Sequence, residues 1–347
     1  MHFQIPVLVT IALIIIIIPC GTILITTNNY FETTNFAYGQ TDQTIINNVN
    51  PLNVQSIPIK KVHVGDIDIA YRTFGKGEPF LLIGGLGAKM DSWEPSILRN
   101  LSTNHTVIIF DNRGVGNTTT GTKPFSVQQF ANDTNGLLDA LKIQKADVGH
   151  SMGGMIAQQL AVTHPEKVNR LILVSTTCGG KDSIPPSPQL VKLARELENK
   201  LLNNIPLTPQ EIKLTVSTSL GPAWIRLHPN SLDSIPKKVL PAKDLFPGFP
   251  VNTVVQQQKV VGNWRATNWI GICDELSKIS NPTLIITGTD DVAIQPANSL
   301  IIAGKIPGAW LVQIKNAGHA VMDQYPAEVG KIMNTFLSTT TTRGGSW

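Results

Sequence analysis

Charge is scarce in this chain. Asp, Glu, Lys and Arg make up 15% of its 347 residues, against roughly 25% in a typical soluble domain. The formal net charge of +4 is not gathered into a Lys/Arg block. Nucleic-acid binding needs a clustered basic stripe, so no nucleic-acid partner is expected. Cysteine is rarer still. Cys20, Cys178 and Cys273 are too few for a disulfide framework. Cys178 and Cys273 can pair only if the fold brings them together, and buried free thiols are the expectation. There is no Walker-type phosphate loop, no His-Glu-x-x-His and no Cys-x-x-Cys. The sequence therefore gives no support for metal or dinucleotide chemistry, and no metal or cofactor is expected.

No Lys or Arg occurs before Lys60, and residues 5–25 carry no charge at all. That run, with five consecutive isoleucines at 14–18, is as long as the roughly 20 residues that span a bilayer. Pro19-Cys20-Gly21 interrupts it, leaving an apolar stretch that also fits the core of a signal peptide. Ala37-Tyr38-Gly39 offers a small-x-small cleavage pattern. Residues 1–39 are expected to be an export signal or a membrane anchor, with the rest of the chain outside. Residues 40–57, polar and without periodicity, read as a flexible tether. Residues 339–347 read as a disordered tail, which leaves 58–338 as the folded domain.

What is present is a 42% apolar content, enough for a substantial core. Residues 61–64 and 67–71 alternate about Gly65-Asp66, a hairpin signal. Short apolar runs then follow at 80–83, 107–110, 146–148, 171–174, 284–286 and 310–314. Helical stretches separate them, near 92–101, 127–141, 152–163, 296–305 and 326–337. Continuous apolar strands between helices imply an α/β fold, a mostly parallel sheet with helices on both faces. The alternation stops between 174 and 284, a region with 11 prolines between Pro185 and Pro250. A structureless loop of that length is improbable. Residues 180–265 are read as a small helical cap inserted over the carboxyl edge of the sheet, where open α/β sheets bind ligands.

One serine stands out against this pattern. Ser151 lies in Gly149-His150-Ser151-Met152-Gly153, between an apolar run and a helix. Glycines two residues either side permit a strained turn that lifts the hydroxyl out of the sheet. The Met152 N–H then lies free at a helix N-terminus, half of an oxyanion hole. A serine needs a base, and seven histidines compete. His150 neighbours the serine, but adjacent residues on such a turn are expected to point apart. His319, in Asn316-Ala317-Gly318-His319-Ala320, directly follows the last strand and converges on the serine's edge of the sheet. The acid should follow the preceding strand, where Asp290 and Asp291 are adjacent candidates. After the strand at 80–83 comes Gly84-Gly85-Leu86-Gly87, where the Leu86 N–H is the candidate second oxyanion donor.

Together these motifs resemble the α/β-hydrolase superfamily. Ser151 in its elbow, the 84–87 loop, Gly288-Thr289-Asp290-Asp291, Gly318-His319 and the turn Asp111-Asn112-Arg113-Gly114-Val115-Gly116 carry the resemblance, in order, from about residue 60 to 337. It implies an eight-stranded sheet with a cap. The resemblance also implies Asp291 as the acid, because the family's acid usually lies three residues after the glycine. Asp111 to Gly116 is given no catalytic part. Family members commonly carry histidine where this chain has Gly84, so a more flexible oxyanion loop is expected. The strand before the elbow reads one residue short, with the irregularity near 145–147.

The resemblance implies a serine hydrolase cleaving a small-molecule carboxylic ester or lactone through an acyl-enzyme. Ser151, His319 and Asp291 would be catalytic, Leu86 and Met152 would hold the oxyanion, and Trp93 would line the pocket with Trp224, Trp264 and Trp269. Alternatives on the same fold are a cofactor-free peroxidase, an aminopeptidase or a carbon–carbon bond hydrolase. A non-catalytic ligand-binding module is the alternative from a different class.

Overall fold

The computed structural model of the chain describes residues 53–144, 150–233, 235, 251–266 and 271–341. The expected export segment and most of the tether lie outside these residues, as do the strand expected at 146–148, Gly149 and Trp269. No helix among the described residues is long and apolar enough to cross a membrane.

Gly65, at φ 61°, turns β1 (Lys60–Val64) into β2 (Ile67–Gly75), an antiparallel hairpin. β2 pairs antiparallel with β4 (His105–Phe110), which lies parallel to β3 (Glu78–Leu82). A second group orders β5 (Leu171–Val174), β6 (Thr283–Gly288) and β7 (Trp310–Ile314), all parallel. His150 makes a parallel bridge to Val174 on the free side of β5. The described residues thus contain seven strands, four in the first group and three in the second. The run at 146–148, expected as a further strand, lies outside the described residues.

Side chains alternate across a strand, and here each set finds its own helices. Leu81, Ile83, Ile108, Phe110, Leu171 and Leu173 pack with α2 (Val127–Ala140), α3 (Met152–Thr163) and α8 (Ala297–Lys305). Phe80, Leu82, Val107, Ile109, Ile172 and Val174 pack with α1 (Pro95–Ser102), α9 (Val321–Gln324) and α10 (Pro326–Thr341). Layers on both faces leave only the strand ends open to a ligand.

Between β5 and β6 the chain runs through α4 (Pro188–Leu202), α5 (Pro209–Leu220), α6 (Pro222–Leu227) and α7 (Val251–Trp264). Proline starts three of them, where its missing N–H costs nothing. Thr208 and Glu211 close a capping box on α5, satisfying two otherwise orphaned groups.

Three expectations change. Cys178 and Cys273 are not free thiols: they form a disulfide, with Cα atoms 5.0 Å apart. Cys178 follows the end of β5, and Cys273 precedes the 3-10 turn Glu275–Lys278 that leads to β6, so the bond fastens the two ends of the insertion together. Residues 54–56, expected in the tether, form a 3-10 turn that buries Val54, and the Gln55 carbonyl accepts from Arg72 Nη1 at 3.4 Å. At the other end, α10 continues through Thr341, into the expected tail.

Candidate active site

Ser151 caps the N-terminus of α3 with φ 52° and ψ −118°, a conformation that side chains with a Cβ rarely adopt. The surroundings hold it there. The Ser151 N–H donates to the Val174 carbonyl at 2.8 Å, and its own carbonyl accepts from Thr176 Oγ1 at 2.7 Å. The motif's second glycine has an equally specific cause. A Cβ on Gly153 would lie 1.9 Å from the Ile83 carbonyl oxygen, so only glycine lets α3 start this close to the end of β3.

His319 Nε2 lies 3.1 Å from Ser151 Oγ, and His319 Nδ1 lies 2.8 Å from Asp291 Oδ2. All three residues are buried. The second Asp291 oxygen, Oδ1, accepts the N–H groups of Ala293 at 2.9 Å and Ile294 at 2.8 Å. The two aspartates divide the work. Asp290 Oδ2 accepts the N–H of Ala223 in the first turn of α6 at 3.0 Å, so it anchors the inserted helices. This arrangement supplies a hydroxyl, an imidazole able to take its proton, and a carboxylate holding the imidazole in one tautomer.

No acceptor among the described residues takes the N–H of Leu86 or of Met152. Both residues are buried in the same apolar cluster. Two hydrogen bonds hold the loop that carries Leu86. Asn112 Nδ2 donates to the Gly84 carbonyl at 2.9 Å, and the Gly87 N–H donates to Gln257 Oε1 of α7 at 2.6 Å. The turn from Asp111 to Gly116 is structural in the same way. Asp111 accepts the Met90 and Asn117 N–H groups, and the buried Arg113 is paired with both Asp66 and Asp133.

Sequence reasoning missed several contributors. The His150 ring lies 5.7 Å from the His319 ring and 6.2 Å from Trp93. Burial first, and then the neighbouring His319, push its pKa down to about 3, so it is neutral at physiological pH. Gln324 accepts the Gly318 N–H at 2.8 Å and donates to the Leu220 carbonyl at 2.7 Å, tying the His319 loop to the end of α5. Gln257 and Gln324 are glutamines without a motif around them; no sequence signal marks either.

The expected aromatic residues separate. Trp93 is buried among Phe80, Met90 and Ile97. Trp264 is buried at the end of α7 and donates Nε1 to the Thr177 carbonyl at 3.1 Å. Trp224 stacks on His228 with ring centroids 3.6 Å apart.

Comparison with known proteins gives the family. A family model described as the alpha/beta hydrolase fold matches residues 78–326, and the chain belongs to that family. Poly(3-hydroxyalkanoate) depolymerase of Ectopseudomonas oleovorans is 28% identical to it over 265 residues, covering 75% of this chain and 84% of the relative. A Mycobacterium tuberculosis relative named for non-heme bromoperoxidase activity is 28% identical over 281 residues, covering 78% and 98%. Among solved structures, Est816, described as an N-acyl homoserine lactone degrading enzyme, superposes with a TM-score of 0.62 at 25% identity. That match covers 80% of this chain and all of the other.

Proposed function

We propose that this chain is a serine hydrolase that cleaves small-molecule carboxylic esters or lactones through an acyl-enzyme. The observation that carries the reading is the hydrogen-bonded series from Ser151 through His319 to Asp291 at the strand ends. Ser151 Oγ attacks the carbonyl carbon while His319 Nε2 takes its proton. The Leu86 and Met152 N–H groups receive the oxyanion, a contribution of about 3 kcal/mol for a well-placed donor. As the tetrahedral species collapses, His319 gives the proton to the leaving alkoxide. Water then attacks the acyl-enzyme, losing its proton to His319, and that proton returns to Ser151 as the acid departs. Asp291 orients the imidazole throughout and stabilises its charged form. Trp93 contributes to the apolar wall through its packing on His150. A depolymerase among the relatives and a lactone-degrading structural neighbour support the choice of ester and lactone.

We read residues 1–39 as an export signal or an anchor that carries the domain out of the cytoplasm. The Cys178–Cys273 disulfide supports this, because such bonds persist mainly in oxidising compartments. Fractionated cells expressing the full chain are expected to carry it in membrane or external fractions; recovery in the cytosol would contradict export.

The activity is tested with a panel of 4-nitrophenyl esters of increasing acyl length and N-acyl homoserine lactones. Turnover of at least one class, abolished by Ser151→Ala, is expected. A panel left untouched by the wild type would contradict the reading.

A further inference from the structure

Helix α7 and the residue that follows it touch the loop after each of four strands. Thr253 packs where a Cβ on Gly114, after β4, would come within 3.0 Å of its Oγ1. Gln257 accepts the Gly87 N–H in the loop after β3. Trp264 donates to the Thr177 carbonyl after β5. Arg265, immediately beyond the helix, reaches the loop after β6, with Nη1 3.5 Å from the Ala293 carbonyl oxygen. Eight residues separate Gln257 from Arg265, about 12 Å along a helix axis. One element therefore runs from the oxyanion loop to the loop that carries the acid.

Three buried donor atoms on Gln257 and Arg265 are unused. Gln257 Nε2, Arg265 Nε and Arg265 Nη2 have no hydrogen-bond partner among the described residues. Arg113 shows how this fold treats a buried guanidinium that serves structure: it gives Asp66 and Asp133 two hydrogen bonds each and the Thr120 carbonyl a fifth. Arg265 has a single long contact with a carbonyl. Asp291 does not complete it: its oxygens take His319 and the N–H groups of Ala293 and Ile294, and neither accepts from Arg265. Burial pushes the Arg265 pKa down to about 10 against the pull of Asp291, which still leaves a full positive charge at neutral pH. A buried cation whose donors are left without hydrogen-bond partners is costly. A carboxylate matches its planar fork of donors.

We infer that Arg265 is an anion-binding point of the substrate pocket, so that the preferred ester or lactone carries a free carboxylate several bonds from the carbonyl that Ser151 attacks. This rests on the hydrolase reading above. It adds a charge requirement that the Ser151, His319 and Asp291 arrangement does not impose. The helix supplies the ruler: the carbonyl sits at the Gln257 end, by the oxyanion loop, and the carboxylate at the Arg265 end.

The test compares 4-nitrophenyl hydrogen adipate with its methyl ester, using the disulfide-intact full chain. In the wild type kcat/KM is expected to favour the free acid. In Arg265→Gln the ratio of free acid to methyl ester is expected to fall roughly thirtyfold or more, the scale for removing one partner of a buried charge pair. Arg265→Lys should recover part of it. A ratio cancels any loss of folded protein. Equal rates for the two substrates in the wild type, or the same ratio in wild type and Arg265→Gln, would overturn the inference. Calorimetry of adipate with Ser151→Ala protein separates the two claims. Saturable binding that disappears on adding Arg265→Gln upholds the anion site even if no ester is hydrolysed, whereas no binding overturns it.

Discussion

Asp290 is hydrogen-bonded to Ala223, its carboxylate accepting the N–H in the first turn of α6 at 3.0 Å, while the next residue turns the other way to His319. Two adjacent carboxylates thus serve two partners, one in the inserted helices and one in the site. Asp291→Asn is expected to keep the fold and lower kcat by about 10³- to 10⁴-fold, as loss of the orienting carboxylate does in serine hydrolases. Asp290→Asn should cost less than tenfold, because the amide oxygen still accepts from Ala223. Steady-state kinetics of the two variants decides between them. The reverse order would assign the acid to Asp290.

Cys178 and Cys273 close a loop of 95 residues at the base of the insertion. Cross-links of this kind contribute about 2–4 kcal/mol. Reduction, or Cys178→Ser with Cys273→Ser, is expected to lower the thermal midpoint by several degrees. Denatured, unreduced protein should show no reactive thiol at either position. Free thiols at both would contradict the pairing.

How much of this was legible in the sequence depends on the range of the interaction. The runs at 171–174 and 310–314 coincide with β5 and β7, and the 152–163 stretch with α3, because apolar periodicity and turn residues are local signals. Ser151, His319 and Asp291 were legible for the same reason: each directly follows a strand, and parallel strands end on one edge. The disulfide was not, since nothing near Cys178 says where residue 273 lies. Nor were Gln257 and Gln324, whose partners depend on how the inserted helices dock. The nearness of the His150 ring to His319 was not legible either, because it depends on how the loop after β7 returns to the elbow.

The buried His150 gives the fold an acid sensitivity. Its folded pKa is about 3, against an ordinary value of 6.5. Between those values the unfolded chain takes up a proton that the folded chain refuses. Stability is therefore full above about pH 6.5 and declines as pH falls toward 3, by about 2 kcal/mol at pH 5 from this residue alone. His150→Asn removes the titration, so its thermal midpoint should fall less between pH 7 and pH 5 than that of the wild type. Parallel curves for the two proteins would contradict this.

Everything proposed about chemistry depends on Ser151 being a nucleophile activated by His319. Treatment of the full chain with a fluorophosphonate, followed by mass spectrometry of its peptides, reads that directly. One adduct, on Ser151, is expected, absent from Ser151→Ala and strongly slowed in His319→Asn. No adduct on the folded wild-type protein, or an adduct on a different serine, would contradict it.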